Sequence, residues 1–187
     1  MTDSNSVELE ATGRALLRTA ASWALTASNE LPRSANSSAA GSRTASIERR
    51  KRIQAFCATV TLTDAAQGTD GAIVKARQLV RDFPDRYFMP DQFSNQYNQL
   101  AHYDGTAQEL LEQMGGRIDY FVSALGTSGT LMGVGLALKE RLPGVKIVSA
   151  HPVLGHYIQG LKNLDEAIVP AIYDPKKIDR HIMIESE

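Results

Sequence analysis

This sequence has very little cysteine, and it lacks both long apolar runs and a marked excess of either charge. Its single cysteine, Cys57, excludes an intramolecular disulfide. No apolar run approaches the roughly 20 residues that a membrane-spanning helix needs. Lys and Arg total 20, Asp and Glu total 21, and the net charge of -1 gives no long-range attraction to polyanions. We therefore expect neither nucleic acid nor a membrane as a partner.

Signals for export and for metal binding are missing as well. The first residues, MTDSNSVELE, are acidic and polar, and lack the basic and apolar regions of a secretory signal. The four histidines lack the i, i+4 or C-x-x-C spacing typical of metal ligands. These observations predict a cytoplasmic protein without a metal site.

The first 45 residues differ in character from the rest of the 187-residue chain. Residues 7–27 are rich in alanine, and their apolar positions recur at near-helical spacing, which predicts an amphipathic helix. Residues 32–45 are mostly small and polar, so they offer little apolar surface to offset the entropy of ordering the backbone. We interpret 1–45 as a helix plus a flexible linker.

From residue 46 onward, helical and strand-like segments alternate. Ser46 is a suitable N-cap for a helix over 47–56, and we expect Ile47, Ile53 and Phe56 to face a core. Further helices are predicted over 70–81, 98–114 and 129–140, and strands over 58–63, 87–89, 118–125, 145–150 and 181–185. Strands separated by helices predict an α/β fold, a parallel sheet with flanking helices in a three-layer α/β/α arrangement.

A loop rich in glycine and hydroxyl side chains follows the predicted buried strand 118–125. Its residues are Gly126, Thr127, Ser128, Gly129 and Thr130, and a helix begins near its end. Backbone N–H groups at a helix start attract anions, and glycines let the backbone approach a phosphate closely. Because there is no GxxxxGK[ST] pattern, an NTP-type loop is disfavoured. The same residues also serve simple helix capping, so the loop alone leaves both interpretations open.

Six segments in order carry a family resemblance: SIERRKRIQAF, a strand ending LTD, GAIVKA, YFMPDQFSN, GTSGTLMGVG and IQGLKNLDEAIVPAIYDP. This series, over residues 46–187, resembles the cysteine synthase and cystathionine β-synthase family of fold-type II pyridoxal-phosphate (PLP) enzymes. It is most similar to bacterial cysteine synthase B. The resemblance implies a partial tryptophan synthase β-like fold over 46–187, with residues 1–45 divergent from the family.

The resemblance also implies roles for particular residues. The loop Gly126, Thr127, Ser128, Gly129 and Thr130 would bind the phosphate of PLP, and Gly160 would pass close to the cofactor ring. Gln92 would lie beside the cofactor and the carboxylate of an amino-acid substrate. Thr12 and Gly13 match a remnant of the family's substrate-carboxylate loop. The implied reaction is β-replacement, in which an activated serine and a sulfur donor give cysteine.

One family feature has no counterpart in this sequence. Members hold PLP as a Schiff base on a lysine in an S-x-K-D-R segment, and no such segment occurs here. That lysine is both the covalent attachment point and the base that moves the substrate proton. An alternative therefore stays open: an inactive fragment that binds PLP or phosphate, or pairs with a full-length relative.

Two further expectations concern other activities and self-association. An unrelated phosphate-ester enzyme using the same loop with Asp104 or Glu109 is a third interpretation, and it would require a metal. The resemblance implies a homodimer for complete family members. A sheet with strands missing would leave apolar residues of 118–125 exposed, which predicts an oligomer or aggregate for this chain.

Overall fold

The computed structural model describes residues 24–26, 38–43, 45–56, 58–156, 158 and 160–186. Cys57, Thr12 and Gly13 lie outside these residues. The described residues divide between Asp91 and Gln92 into two compact units. The division at residue 45 into a divergent part and a family-like part stays a prediction. No helix within the described part of the chain is both long and apolar enough to cross a membrane.

The unit before Gln92 contains a three-stranded sheet in the order β1-β2-β3. Its elements are β1 (Ala24–Thr26), β2 (Ser38–Ser42), α1 (Ile47–Ala55), β3 (Thr59–Thr63) and α2 (Gly68–Asp82). Strand β2 pairs antiparallel with β1 and parallel with β3. Ala40 of β2 packs with Ala72 and Ala76 of α2. These small side chains let the helix approach the sheet closely.

Two predictions for the first 45 residues are wrong where the structure describes them. Residues 24–26 form a strand rather than the end of a helix, and residues 38–42 form a strand rather than a flexible linker. Ala39 and Ala40 are only 1% and 2% exposed, so even small side chains bury enough surface once the strand pairs with β3. An alanine-rich sequence favours a helix locally, but strand pairing is a non-local contact that overrides this preference.

The helix and strand predictions in the rest of this unit are mostly confirmed. Ser46 caps α1 by accepting a hydrogen bond from the Arg49 N–H at 3.4 Å. However, α1 has no buried residue, and Ile47 and Phe56 are 61% and 74% exposed, so the expected core-facing side of this helix is wrong. The predicted strand over 87–89 is reduced to a single bridge position at Phe88.

The unit from Gln92 onward contains a second sheet, in the order β4-β5-β6, whose strands are all parallel. Its elements are α3 (Gln96–Ala101), a π-helical turn (His102–Thr106), α4 (Ala107–Gln113), β4 (Tyr120–Ala124), α5 (Gly129–Arg141), β5 (Lys146–Pro152), a 3-10 turn (Pro175–Lys177) and β6 (Arg180–Ile184). Parallel strands with flanking helices confirm the predicted α/β fold.

Helix α5 is the centre of this second unit. Its residues Leu131, Val134 and Leu138 are fully buried and pack with Leu125 and Ile147. Strand β4, which was predicted to be buried, is the edge of its sheet, and its side chains Tyr120 and Val122 are 67% and 56% exposed. The expected exposed apolar surface is therefore present on β4. The core fixes the start of α5 against the end of β4, which is where the glycine loop lies.

Candidate phosphate-binding site

The glycine loop joins the buried end of β4 to the start of α5. Leu125 is fully buried, and its N–H donates to the carbonyl of Ala150 at 2.9 Å. Ser128 has a φ of 68°, in the left-handed region that non-glycine residues rarely adopt. Its carbonyl accepts the first hydrogen bond of α5, from the Met132 N–H at 2.8 Å. The N–H groups in the first turn of a helix lack partners within the helix and form a positive end, so the loop closes around an anion-attracting position.

The side chain of Ser128 gives a second, independent sign of a ligand. The residue is 3% exposed, yet its Oγ has no hydrogen-bond partner among the described residues. Leaving a buried polar group unpaired costs about 1–3 kcal/mol, and such groups are rare in native proteins. An oxygen of a bound anion at the start of α5 would supply the missing partner.

Asn98 connects the loop to the segment that contains Gln92. Its side-chain Nδ2 donates to the carbonyl of Gln92 at 2.7 Å and to the hydroxyl of Thr127 at 3.0 Å. Asn98 is 7% exposed, so these bonds are shielded from water. A Cβ added at Gly129 would lie 2.0 Å from Asn98 Oδ1, which explains why glycine occupies this position. The amide thus holds Thr127 and Gln92 in fixed relation.

A second contact to the loop comes from the π-helical turn. His102 Nε2 lies 3.1 Å from Thr130 Oγ1, and His102 Nδ1 lies 3.0 Å from Thr106 Oγ1. Thr130 is the second residue of α5. Neither Asn98 nor His102 was predicted from the sequence. Each lies inside a predicted helix, and no local pattern connects it to a loop 28 or more residues later.

Gly160 is brought to the other side of the loop. Its φ is 87°, which favours glycine, and its carbonyl oxygen would lie 3.2 Å from a Cβ added at Gly126. The N–H of Lys162 donates to the Leu125 carbonyl at 2.8 Å and fixes this neighbourhood. The structure therefore brings Gly160 together with the loop, as a shared site requires. Its role toward a cofactor ring remains a prediction.

The segment that follows Gln92 is anchored in the same unit. Phe93 is 5% exposed, its carbonyl accepts from the Ala171 N–H at 2.8 Å, and the Lys162 Nζ lies 4.9 Å from the centre of its ring. Gln92 itself is half-buried. The structure thus gathers Gln92, the loop residues and Gly160 in one unit. The roles expected for Thr12 and Gly13 stay predictions.

These features define a class of protein: an α/β protein whose loop between a parallel strand and a helix presents hydrogen-bond donors suited to an anion. Residues 23–182 match the family model described as "Pyridoxal-phosphate dependent enzyme". The chain belongs to that family. The match begins well before residue 46, so the family resemblance includes β1 and β2, which the sequence analysis had set apart as divergent.

The individual proteins to which the chain is similar include several cysteine synthases. The chain is 43% identical over 143 residues to a cysteine synthase of Aquifex aeolicus, which covers 76% of this chain and 44% of that protein. It is 40% identical to a cysteine synthase B of Pseudomonas aeruginosa over 133 residues, 71% of this chain and 44% of that protein. A solved cysteine synthase from Entamoeba histolytica matches with a TM-score of 0.68 and 36% identity, and covers 78% of this chain and 45% of that structure. The chain thus spans less than half the length of these relatives.

The donors in the loop fit the phosphate of the family's cofactor. A phosphate offers several acceptor oxygens, and the loop offers the hydroxyls of Ser128, Thr127 and Thr130 and N–H groups at the start of α5. Because backbone N–H groups only donate, and the hydroxyls can each donate one hydrogen bond as well, the set suits an anion. These residues would hold the phosphate end of PLP.

Proposed function

We propose that this chain is the phosphate-binding part of a PLP-dependent enzyme of the cysteine synthase type. The reaction would replace the β-substituent of an activated serine with sulfur and give cysteine. The observation that carries the proposal is the buried Ser128 Oγ at the start of α5, which has no hydrogen-bond partner in the part of the chain that the structure describes. The similarity to cysteine synthases over about three quarters of this chain supports the choice of reaction.

The loop would bind the phosphate through charge-assisted hydrogen bonds. The Ser128 and Thr127 hydroxyls and the first N–H groups of α5 would donate to its oxygens, and the positive end of the helix would favour its negative charge. Asn98 already donates to the Thr127 Oγ1, so that oxygen is an acceptor in the structure and its own proton is free for the phosphate.

Other residues would act around the phosphate. When bound, PLP withdraws electrons from the α-carbon of an amino acid, which makes the α-proton acidic and allows the β-substituent to leave. Gln92 would bind the substrate carboxylate, and its backbone is held by Asn98. Gly160 would leave room for the flat face of the ring, because it has no side chain. The close approach of its carbonyl to Gly126 supports this placement.

A second candidate function is binding without β-replacement. It is favoured by the absence of an S-x-K-D-R segment from this sequence. In that case the chain would bind PLP or phosphate through the loop, or pair with a full-length relative, and would not itself move the substrate proton. The two candidates share the loop and differ in whether cysteine is formed.

A PLP titration of the purified chain tests the shared part. We expect saturable binding that inorganic phosphate displaces, and we expect Ser128→Ala to weaken it about 10- to 100-fold, because a hydrogen bond to a charged group contributes roughly 1.5–3 kcal/mol. Ser123→Ala, the same change on β4 outside the loop, is the matched control. A chain that binds no PLP, or a Ser128→Ala variant with unchanged affinity, would overturn the proposal.

A growth assay then separates the two candidates. We expect expression of this chain in a cysteine auxotroph to restore growth if the chain carries out β-replacement. Borohydride reduction followed by mass spectrometry would identify any lysine to which PLP is attached. Binding without rescue and without one specifically labelled lysine would favour the second candidate.

The proposal also concerns the self-association of the chain and its location in the cell. We propose that the chain associates with a second copy, as the family resemblance implied, and that it acts in the cytoplasm on small-molecule substrates. The exposed side chains of Tyr120 and Val122 on the edge strand β4 support self-association, because they offer apolar surface and unpaired strand groups.

A further inference from the structure

His102 is part of a continuous line of hydrogen bonds that ends in the phosphate loop. Its Nδ1 lies 3.0 Å from Thr106 Oγ1, and its Nε2 lies 3.1 Å from Thr130 Oγ1. All of these groups are partly buried. His102 and Thr106 are the first and last residues of the π-helical turn. Such turns are rare and are frequent at functional sites.

The imidazole has two possible arrangements in this line. In its neutral form one ring nitrogen donates and the other accepts. If Nε2 accepts, the Thr130 hydroxyl donates its one hydrogen bond to His102, and only its lone pairs are left to face an anion. If Nε2 donates, Nδ1 accepts the proton of Thr106, and the Thr130 hydroxyl proton is free. Only the second arrangement makes Thr130 a donor to a phosphate.

We propose that His102 is a positioning residue that acts through Thr130 as its Nε2–H tautomer, with the Thr106 hydroxyl donating to its Nδ1. The inference rests on the proposed function, because it assigns His102 to the same phosphate site. Thr106, His102 and Thr130 then form a line in which each group donates to the next, and the last donates to the phosphate. His102 does not touch the ligand.

The packing of the helices fixes this line. A Cβ added at Gly133 of α5 would lie 2.8 Å from His102 Cβ and 2.2 Å from the carbonyl oxygen of Gln99. Glycine at this position therefore allows α5 to approach the turn closely enough for His102 to reach Thr130. The line of hydrogen bonds depends on backbone packing between two elements, which makes it rigid rather than adaptable.

Two variants of His102 distinguish a positioning role toward Thr130 from a purely structural role in packing. Gln carries an N–H donor at the same number of bonds from the backbone as His102 Nε2, so His102→Gln keeps the donor to Thr130. His102→Ala removes it. We expect His102→Ala to weaken PLP and inorganic phosphate about 5- to 10-fold, as the loss of one hydrogen bond would, and His102→Gln to restore most of that loss. A purely structural histidine would show a loss of stability without this pattern in affinity.

The tautomer provides a spectroscopic test. Nitrogen-15 NMR of labelled histidine should show the Nε2–H form for His102 in the wild-type chain, and a mixture in Thr106→Val, which cannot donate to Nδ1. We expect Thr106→Val to bind PLP about 5-fold more weakly, because the Nε2–H form of His102 loses the hydrogen bond to its Nδ1. Thr59→Val, on the exposed side of β3, is the matched control.

The outcomes are distinguishable. If the wild-type chain binds neither PLP nor phosphate, the proposed function fails. If it binds both and His102→Ala or Thr106→Val binds equally well, or if His102 is found in the Nδ1–H form, the positioning role fails while the phosphate site stands. Nε2–H together with the expected losses of affinity supports both.

Discussion

The side-chain amide of Asn98 uses both of its N–H groups, donating to the Gln92 carbonyl at 2.7 Å and to the Thr127 hydroxyl at 3.0 Å. One residue therefore connects the segment expected to hold the substrate with the loop expected to hold the phosphate. Its Oδ1 faces Gly129, where there is no room for a side chain. Asn98 is thus the structural centre of the candidate site.

Removing this amide should weaken both stability and binding. We expect Asn98→Ala to lower the free energy of unfolding by about 1–3 kcal/mol, because two partly buried acceptors lose their donor. PLP affinity should fall as well, since Thr127 is no longer oriented. Urea denaturation and PLP titration measure the two effects. Gln96→Ala, an exposed amide on the same helix, should change neither, and equal behaviour of the two variants would contradict the role of Asn98.

Adding a methyl group at Gly129 should disrupt the loop. In Gly129→Ala the new Cβ would lie 2.0 Å from Asn98 Oδ1, so the Asn98 side chain must move and its two hydrogen bonds must break. We expect a loss of about 1–3 kcal/mol of stability together with weaker PLP binding. Gly144→Ala is the control, because a Cβ there meets nothing within 4 Å. A Gly129→Ala variant as stable as Gly144→Ala would show that the loop adapts.

His151 should make stability depend on pH. Its ring stacks on that of His181, with centroids 5.8 Å apart and an angle of 15° between the planes. Burial and then the neighbouring His181 lower the pKa of His151 below its ordinary 6.5, while Asp165 opposes the shift. The unfolded chain therefore binds this proton more tightly than the folded chain, and stability falls as the pH drops below 6.5 toward the folded-state pKa.

The measurement is the free energy of unfolding between about pH 7.5 and about pH 5, a range that includes the ordinary histidine pKa. We expect the wild-type chain to lose more stability on acidification than His151→Gln, which cannot take up the proton. Gln54→Ala, an exposed change on α1 that leaves the stacked pair intact, should follow the wild-type curve. If His151→Gln has the same slope as the wild type, His151 is not the responsible group.

Strand β4 should determine self-association. Val122 is 56% exposed on the edge strand, and a lysine on such an edge opposes pairing with another strand. We expect Val122→Lys to shift the chain toward the monomer in size-exclusion chromatography with light scattering. Gln54→Lys adds the same charge at an exposed position of α1 and should leave the assembly unchanged. No shift with Val122→Lys would place the contact elsewhere.

Local sequence patterns predicted most helices and strands of the second unit. Strand β4, helix α5 and strand β5 lie within a few residues of their predicted bounds, because each has a clear periodicity and turn residues at its ends. Strand β2 was missed for the opposite reason: its sequence SAAGS has no local strand signal, and it is a strand because it pairs with β3 from Ser38 with Thr59 onward.

The sequence by itself determined the α/β fold and the position of a loop, Gly126 to Thr130, whose glycines and hydroxyls suit a phosphate. These features depend on neighbouring residues and on local backbone preferences. Only the tertiary structure decided that Asn98 reaches Thr127, that His102 reaches Thr130 and that Gly160 lies beside Gly126. Those contacts join residues 28 to 34 positions apart, and they exist because the buried core around α5 packs these elements together.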